Sequence, residues 1–203
     1  MIDYTIIILG GRLMKLAVLF PGIGYHVDKP LLYYGRKLAV QRGYEVIPVP
    51  YGNFPDGVKG SPEKMKQAFL SALQQAEEIL GEVDFENYEE ILFVSKSVGT
   101  AVASAYGAKH GLRTRNLYFT PVEESFSLME QPGIVFHGTK DPWAGTEAVK
   151  KGCREKELPL ILVEDGNHSL ETGRTMRDLK ILKKVMRISG WYLDGKIIEE
   201  KII

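Results

Sequence analysis

The stretch ILFVSKSVGTAVASAYG, residues 91–107, decides the fold. Ile91 to Val94 is a continuous apolar run of strand length, the pattern of a strand buried on both faces. Val98 to His110 then reads as a helix that runs to Gly111. A strand passing straight into a helix strains the backbone at the apex of the turn, so the neighbours on both sides must lack bulk. In Ser95-Lys96-Ser97-Val98-Gly99, the pair Ser95 and Gly99 meets that need for Ser97. Ser95 cannot itself be the apex, because the position two before it is Phe93. Such a turn also aims the first amides of the helix at one point, which favours an anion. The pentapeptide alone fits a plain structural turn equally well, so the rest of the chain has to decide.

Working outward, strand-length apolar runs recur at Leu16–Phe20, Glu45–Val49, Asn116–Phe119, Ile134–His137 and Leu160–Val163. Helical patterns separate most of them. Pro30 to Gln41 carries Leu31, Leu32, Tyr34, Leu38 and Ala39. Ser61-Pro62 is a helix start, an N-cap followed by a first-turn proline. The face Met65, Phe69, Leu73, Ala76, Leu80 follows, with Gly81 placed to end the helix in a left-handed conformation. Glu171 to Ile188 is a long amphipathic stretch. Alternation of this kind predicts an α/β fold: a doubly wound, mostly parallel sheet with helices on both faces. One connection breaks the rhythm. TPVEESFSLMEQPG, residues 120–133, is short, carries two prolines and has no room for a full helix. No repeat, low-complexity tract or linker interrupts the pattern, so residues 1–203 read as a single domain.

Composition narrows the classes of function. In 203 residues, 26 Lys and Arg balance 26 Asp and Glu, so nothing suggests a nucleic-acid surface. Cys153 is the only cysteine, which rules out an intrachain disulfide and a cysteine-rich zinc site. No HExxH-type spacing suggests another metal site. No segment approaches the ~20 apolar residues of a membrane span. The expectation is a cytoplasmic protein with a small-molecule partner, no membrane and no nucleic acid; the oligomeric state is left open.

In a doubly wound sheet, ligands bind at the carboxyl ends of the strands. Ser97 falls there, and two further residues follow in the order Ser, Asp, His. Asp141, in IVFHGTKDPWA, lies just beyond the strand Ile134–His137; His168, in ILVEDGNHSLE, lies just beyond Leu160–Val163. A serine hydroxyl needs a base, and the base needs an orienting acid. Each residue also has an ordinary reading: Asp141 as a turn former before Pro142, His168 as a loop histidine, and Asp165 as a turn former or a rival acid. All three at strand ends in the right order is a much rarer coincidence than any one alone. An oxyanion hole needs a second donor from an earlier strand's loop, and FPGIG after Leu16–Phe20 supplies one. A dinucleotide-binding reading of that loop fails, since no glycine follows Gly24 at the required spacing.

The motifs FPGIG, SKSVG, FHGTKDP and GNHSLE resemble those of the α/β-hydrolase superfamily, in a small cap-less form similar to dienelactone hydrolases and esterases. The resemblance runs from about Leu16 to Ile188. It implies Ser97 as nucleophile, Asp141 as acid and His168 as base, the amides of Ile23 and Val98 as oxyanion donors, and neither cofactor nor metal. The activity it implies is hydrolysis of a small ester or thioester through an acyl enzyme; the alternatives are a ligand-binding or signalling module on the same fold, or an acyltransferase. Gly22, Gly24, Tyr25, Lys96 and Trp143 are candidates for substrate contact. Pro21 stands where many members have His, and Ser95 replaces the commoner glycine. Lys96 is unusual beside the nucleophile; it is read chiefly as a solvated lysine, with an anion-attracting or pKa-lowering cation as the other reading. Tyr25, Phe126, Met129 and Trp143 are expected to wall an open site. His137 reads as a hydrogen-bonded structural residue, His110 as a cation at a helix C-terminus, and His26 as a loop residue within reach of substrate. Residues 1–13 are expected to be either a translated leader before a start at Met14 or, through Tyr4–Leu9, an added edge strand.

Overall fold

A computed structural model describes residues 14–58 and 60–203; the expectation for residues 1–13 lies outside the described residues. Among the described residues, seven strands form one sheet: β1 Met14–Phe20, β2 Tyr44–Pro48, β3 Tyr88–Lys96, β4 Thr114–Phe119, β5 Gly133–Gly138, β6 Leu160–Val163 and β7 Lys201–Ile202. Their spatial order is β2-β1-β3-β4-β5-β6-β7, and every neighbouring pair is parallel. The helices are α1 Pro30–Val40, α2 Pro62–Leu80, α3 Val98–Lys109, α4 Thr146–Glu155 and α5 Thr175–Leu193.

The alternation of side chains along each strand divides the core in two. Ala17, Leu19, Leu92, Val94, Leu117 and Phe119 face α1 and α5. Leu16, Val18, Phe20, Ile91 and Phe93 face α2 and α3, while Val135, Leu160 and Leu162 meet Val149 and Cys153 of α4. Helices therefore cover both faces, and β3 and β5, central in the order, read as unbroken apolar runs because neither of their faces meets water.

The Ala-rich composition of α3 now has its reason. This helix is buried almost all round, including Val98, Thr100, Ala101, Val102 and Ala103. Gly99 approaches β1 so closely that a Cβ there would lie 2.3 Å from the Phe20 carbonyl oxygen and 2.4 Å from that of Pro21.

Several boundaries differ from expectation. Ser61 caps α2 as expected, its Oγ accepting from the Lys64 amide at 3.4 Å. Gly81, however, is right-handed (φ −61°, ψ −24°), so α2 ends without a left-handed glycine. The deepest stripe of α2 is Ala68, Ala72 and Ala76, because small side chains let it sit close to its neighbours; Phe69 and Leu73 flank that stripe. Residues 120–132 hold only a 3-10 turn, Glu123–Ser127. The two-residue β7 was not anticipated.

Candidate active site

β3 ends at Lys96, and Ser97 turns the chain with φ 56° and ψ −130° before α3 begins at Val98. A side chain other than hydrogen is costly in that region. Several contacts hold it there. The Ser97 amide donates to the Phe119 carbonyl at 3.0 Å, and the Thr100 amide and hydroxyl donate to the Ser97 carbonyl at 2.9 and 2.7 Å. Ser95 is fully buried, with its hydroxyl 3.4 Å from the Leu117 carbonyl of β4.

Asp141 and His168 come from the loops after β5 and β6, and these loops are laced together. The Lys140 amide donates to the Gly166 carbonyl at 2.9 Å, and the Asp165 amide to Thr139 Oγ1 at 2.9 Å. A Cβ at Gly138 would fall 2.2 Å from the Gly166 carbonyl oxygen, so only glycine lets the loops close. Asn167 Oδ1 accepts from the amides of Ser169 and Glu171, and Thr120 Oγ1 donates to the His168 carbonyl at 3.0 Å.

His168 thereby bridges two partners. Its Nε2 lies 2.7 Å from Ser97 Oγ, and its Nδ1 lies 2.7 Å from Asp141 Oδ2. The Trp143 amide donates to Asp141 Oδ1 at 2.8 Å, and the Trp143 ring stacks on the His168 imidazole with centroids 5.3 Å apart. Burial alone would raise the pKa of Asp141. The His168 hydrogen bond and charge, the Trp143 amide and His137 outweigh it, and the carboxyl sits below its ordinary value. Asp165 is elsewhere occupied, paired with Lys140 at 2.8 Å and Arg177 at 3.0 Å.

The glycine-rich loop after β1 closes on itself, Gly22 and Tyr25 exchanging backbone hydrogen bonds of 3.1 and 3.0 Å. Gly22 lies against the elbow: a Cβ there would come 2.9 Å from Ser97 Cβ. Ile23 and Gly24 form the tip, and the Ile23 amide takes no part in the bonds that close the loop. The Tyr51 hydroxyl donates to the Pro21 carbonyl at 2.5 Å, anchoring the loop's start.

Lys96 corrects the expectation of a solvated side chain. It is 2% exposed, its stem runs beneath Gly22, and its Nζ sits 4.8 Å from the centre of the Tyr25 ring. Burial brings its pKa down to about 7, partly opposed by the Asp141 charge and reinforced by Lys29. Tyr25 is also largely buried, its hydroxyl accepting from the Leu31 amide at 3.0 Å. Phe126 and Met129 do not wall the site. They are core residues packed with Val149 and Cys153, because the 3-10 turn lays them against α4. His110 caps α3 and lies 2.9 Å from Glu77 Oε2. His26 is exposed on the rim of a cleft of about 270 Å³ between Gly22, Tyr25, Tyr51 and Phe54. A second cleft, about 330 Å³, adjoins Trp143 and Pro142. A groove of about 360 Å³ between α1 and α5 includes none of Ser97, Asp141 and His168. Among the described residues, no group of His, Cys, Asp and Glu is arranged to hold a metal ion, and no helix is long and apolar enough to cross a membrane.

Sequence reasoning passed over Thr120, which has φ 44° directly after β4, and no local pattern announces that. His137 lies fully buried on β5, with its Nε2 3.5 Å from Thr146 Oγ1.

The parallel sheet, the flanking helices and the strand-to-helix turn at Ser97 define an α/β-hydrolase fold, and the described residues hold no lid domain. Solved structures share it: Est1E from Butyrivibrio proteoclasticus, determined with ferulic acid bound (10% identity, 91% of this chain and 90% of that one, TM-score 0.65); alpha/beta hydrolase domain-containing protein 10 from mouse (9%, 91% and 91%, 0.64); and an esterase from Pyrococcus furiosus (12%, 92% and 85%, 0.62). No family model and no curated protein matches the sequence.

Proposed function

We propose that the protein is a serine hydrolase acting on a small ester or thioester. One observation carries this reading: the continuous hydrogen-bonded chain Ser97–His168–Asp141, with both links at 2.7 Å, at the carboxyl edge of the sheet. His168 takes the Ser97 proton as Oγ attacks the acyl carbon. Asp141 holds the proton on His168 Nδ1 and stabilises the imidazolium that forms. The amides of Val98 and Ile23 receive the oxyanion; one such donor is typically worth about 3 kcal/mol. His168 returns the proton to the leaving group, and water releases the acyl group by the same steps in reverse. The hydrolase and esterase neighbours support the class of reaction, and the two modest clefts that reach Gly22, against Ser97, and Trp143, against His168, suit a small substrate. Gly22, Tyr25 and Trp143 would touch it, whereas Lys96 is too deeply buried for more than indirect influence.

A fluorophosphonate probe should label the wild type at Ser97, and Ser97→Ala should remain folded and unlabelled. A wild type that resists labelling would favour the ligand-binding reading, and labelling lost in Ser95→Ala rather than Ser97→Ala would move the nucleophile.

A further inference from the structure

The mechanism leaves His137 without a task. It lies on β5 with its imidazole fully buried, and its Nδ1 has no hydrogen-bond partner within ordinary distance. That nitrogen lies 3.7 Å from Asp141 Oδ2, the same oxygen that meets His168. On its other side, Nε2 is 3.5 Å from Thr146 Oγ1 at the start of α4. An unpaired buried polar group is costly, so its persistence beside Asp141 calls for a reason.

Burial lowers the pKa of His137; Asp141 partly offsets this and His168 adds to it, which leaves the ring neutral. A neutral imidazole carries one N–H. With the proton on Nε2, the lone pair of Nδ1 would face a carboxylate oxygen with no water between to screen it. With the proton on Nδ1, the N–H points at the carboxylate and Nε2 can accept from the Thr146 hydroxyl. Electrostatics selects the second form.

We propose that His137 is a positioning residue, a second imidazole whose Nδ1–H bears electrostatically on Asp141 Oδ2 from behind at 3.7 Å, beyond hydrogen-bond length, while His168 engages it from the front. A carboxylate oxygen with a second N–H dipole aimed at it presents less negative charge to His168. The His168 imidazolium is then stabilised less, and His168 stays neutral, and so able to accept a proton, to lower pH. The groups facing this cluster are Asp141 beyond β5, His168 beyond β6, Lys96 on β3, whose charge feels Asp141, and the uncharged Thr146 of α4. The role in turnover rests on the hydrolase reading; the effect on His168 does not.

The test is NMR titration of the intact protein with isotope-labelled histidine, alongside the pH profile of kcat/KM. His137→Leu removes the donor at similar volume, and His137→Asn restores an N–H close to the Nδ1 position. In His137→Leu the pKa of His168 should rise by about half a unit to one unit, a roughly 3- to 10-fold gain in proton affinity, and the acid limb of the profile should move up with it. His137→Asn should recover most of the shift. Because burial brings the Lys96 pKa down to about 7, the pair is repeated in a Lys96→Met background, where the shift should persist. An unchanged or lowered His168 pKa in folded His137→Leu overturns the proposal, as does Asn behaving like Leu. Should His137→Leu not fold, the ring-nitrogen shifts of the wild type decide: a proton on His137 Nε2 overturns it, and one on Nδ1 supports it. A wild type that resists the fluorophosphonate probe while His168 still responds to His137 would sink the hydrolase reading alone.

Discussion

Replacing Ser97 by glycine should make the protein more stable than replacing it by alanine. Ser97 holds φ 56° and ψ −130°, a region that costs a residue with a Cβ about 1–3 kcal/mol. Alanine keeps the Cβ and with it the strain; glycine removes both. Against this, glycine frees the unfolded chain and loses about 0.5–1 kcal/mol relative to alanine. The net expectation is that Ser97→Gly exceeds Ser97→Ala by about 1 kcal/mol. Both variants lose the 2.7 Å contact with His168, so the difference between them isolates the backbone. In a chain of this size it corresponds to about 2–4 °C in Tm. Urea denaturation and thermal melts of the two variants in one buffer measure it. A glycine variant less stable than the alanine variant by about 0.5–1 kcal/mol, as at an unstrained position, would show that the elbow stores no strain.

Gly99→Ala should destabilise by about 3 kcal/mol, because the new methyl group would meet the backbone carbonyls of Phe20 and Pro21, which cannot yield as a flexible side chain would; the urea midpoint reads this, and a change under about 1 kcal/mol contradicts the close approach. Asp141→Asn should lower kcat by roughly 10⁴-fold through the wrong His168 tautomer while the Trp143 amide still finds an acceptor, so near-normal turnover would remove Asp141 from the mechanism. Lys96→Met should change how stability varies with pH. The folded pKa of about 7 lies below the ordinary 10.5, so the unfolded state binds more protons between these values, and wild-type stability climbs as pH rises through that window. Stability curves from about pH 6 to about pH 10 should show a climb of a few kcal/mol in the wild type and none from this source in the variant; parallel curves would mean that Lys96 is not desolvated.

Local sequence was enough for strands β1 to β6, four of the helices and the elbow. Continuous apolar runs, a Ser-Pro helix start and small residues flanking Ser97 are properties of neighbours in the chain, and they act before any tertiary contact forms. The order Ser97, Asp141, His168 was legible for a related reason: in a parallel sheet, every loop that follows a strand arrives at the same edge. What that order could not say was which loop residues meet. Asp165 is closer to His168 in sequence than Asp141, yet it turns outward to Lys140 and Arg177, while Gly138 lets the two loops close so that Asp141 reaches His168. Lys96 was misjudged for the same cause. A lysine is buried only when segments distant in the chain cover it, here the Gly22–Tyr25 turn over Lys96. Phe126 and Met129 went into the core because α4, more than 15 residues onward in the chain, offered them apolar surface. Burial and charge state depend on what the folded chain brings close, and no window of sequence contains both sides of such a contact.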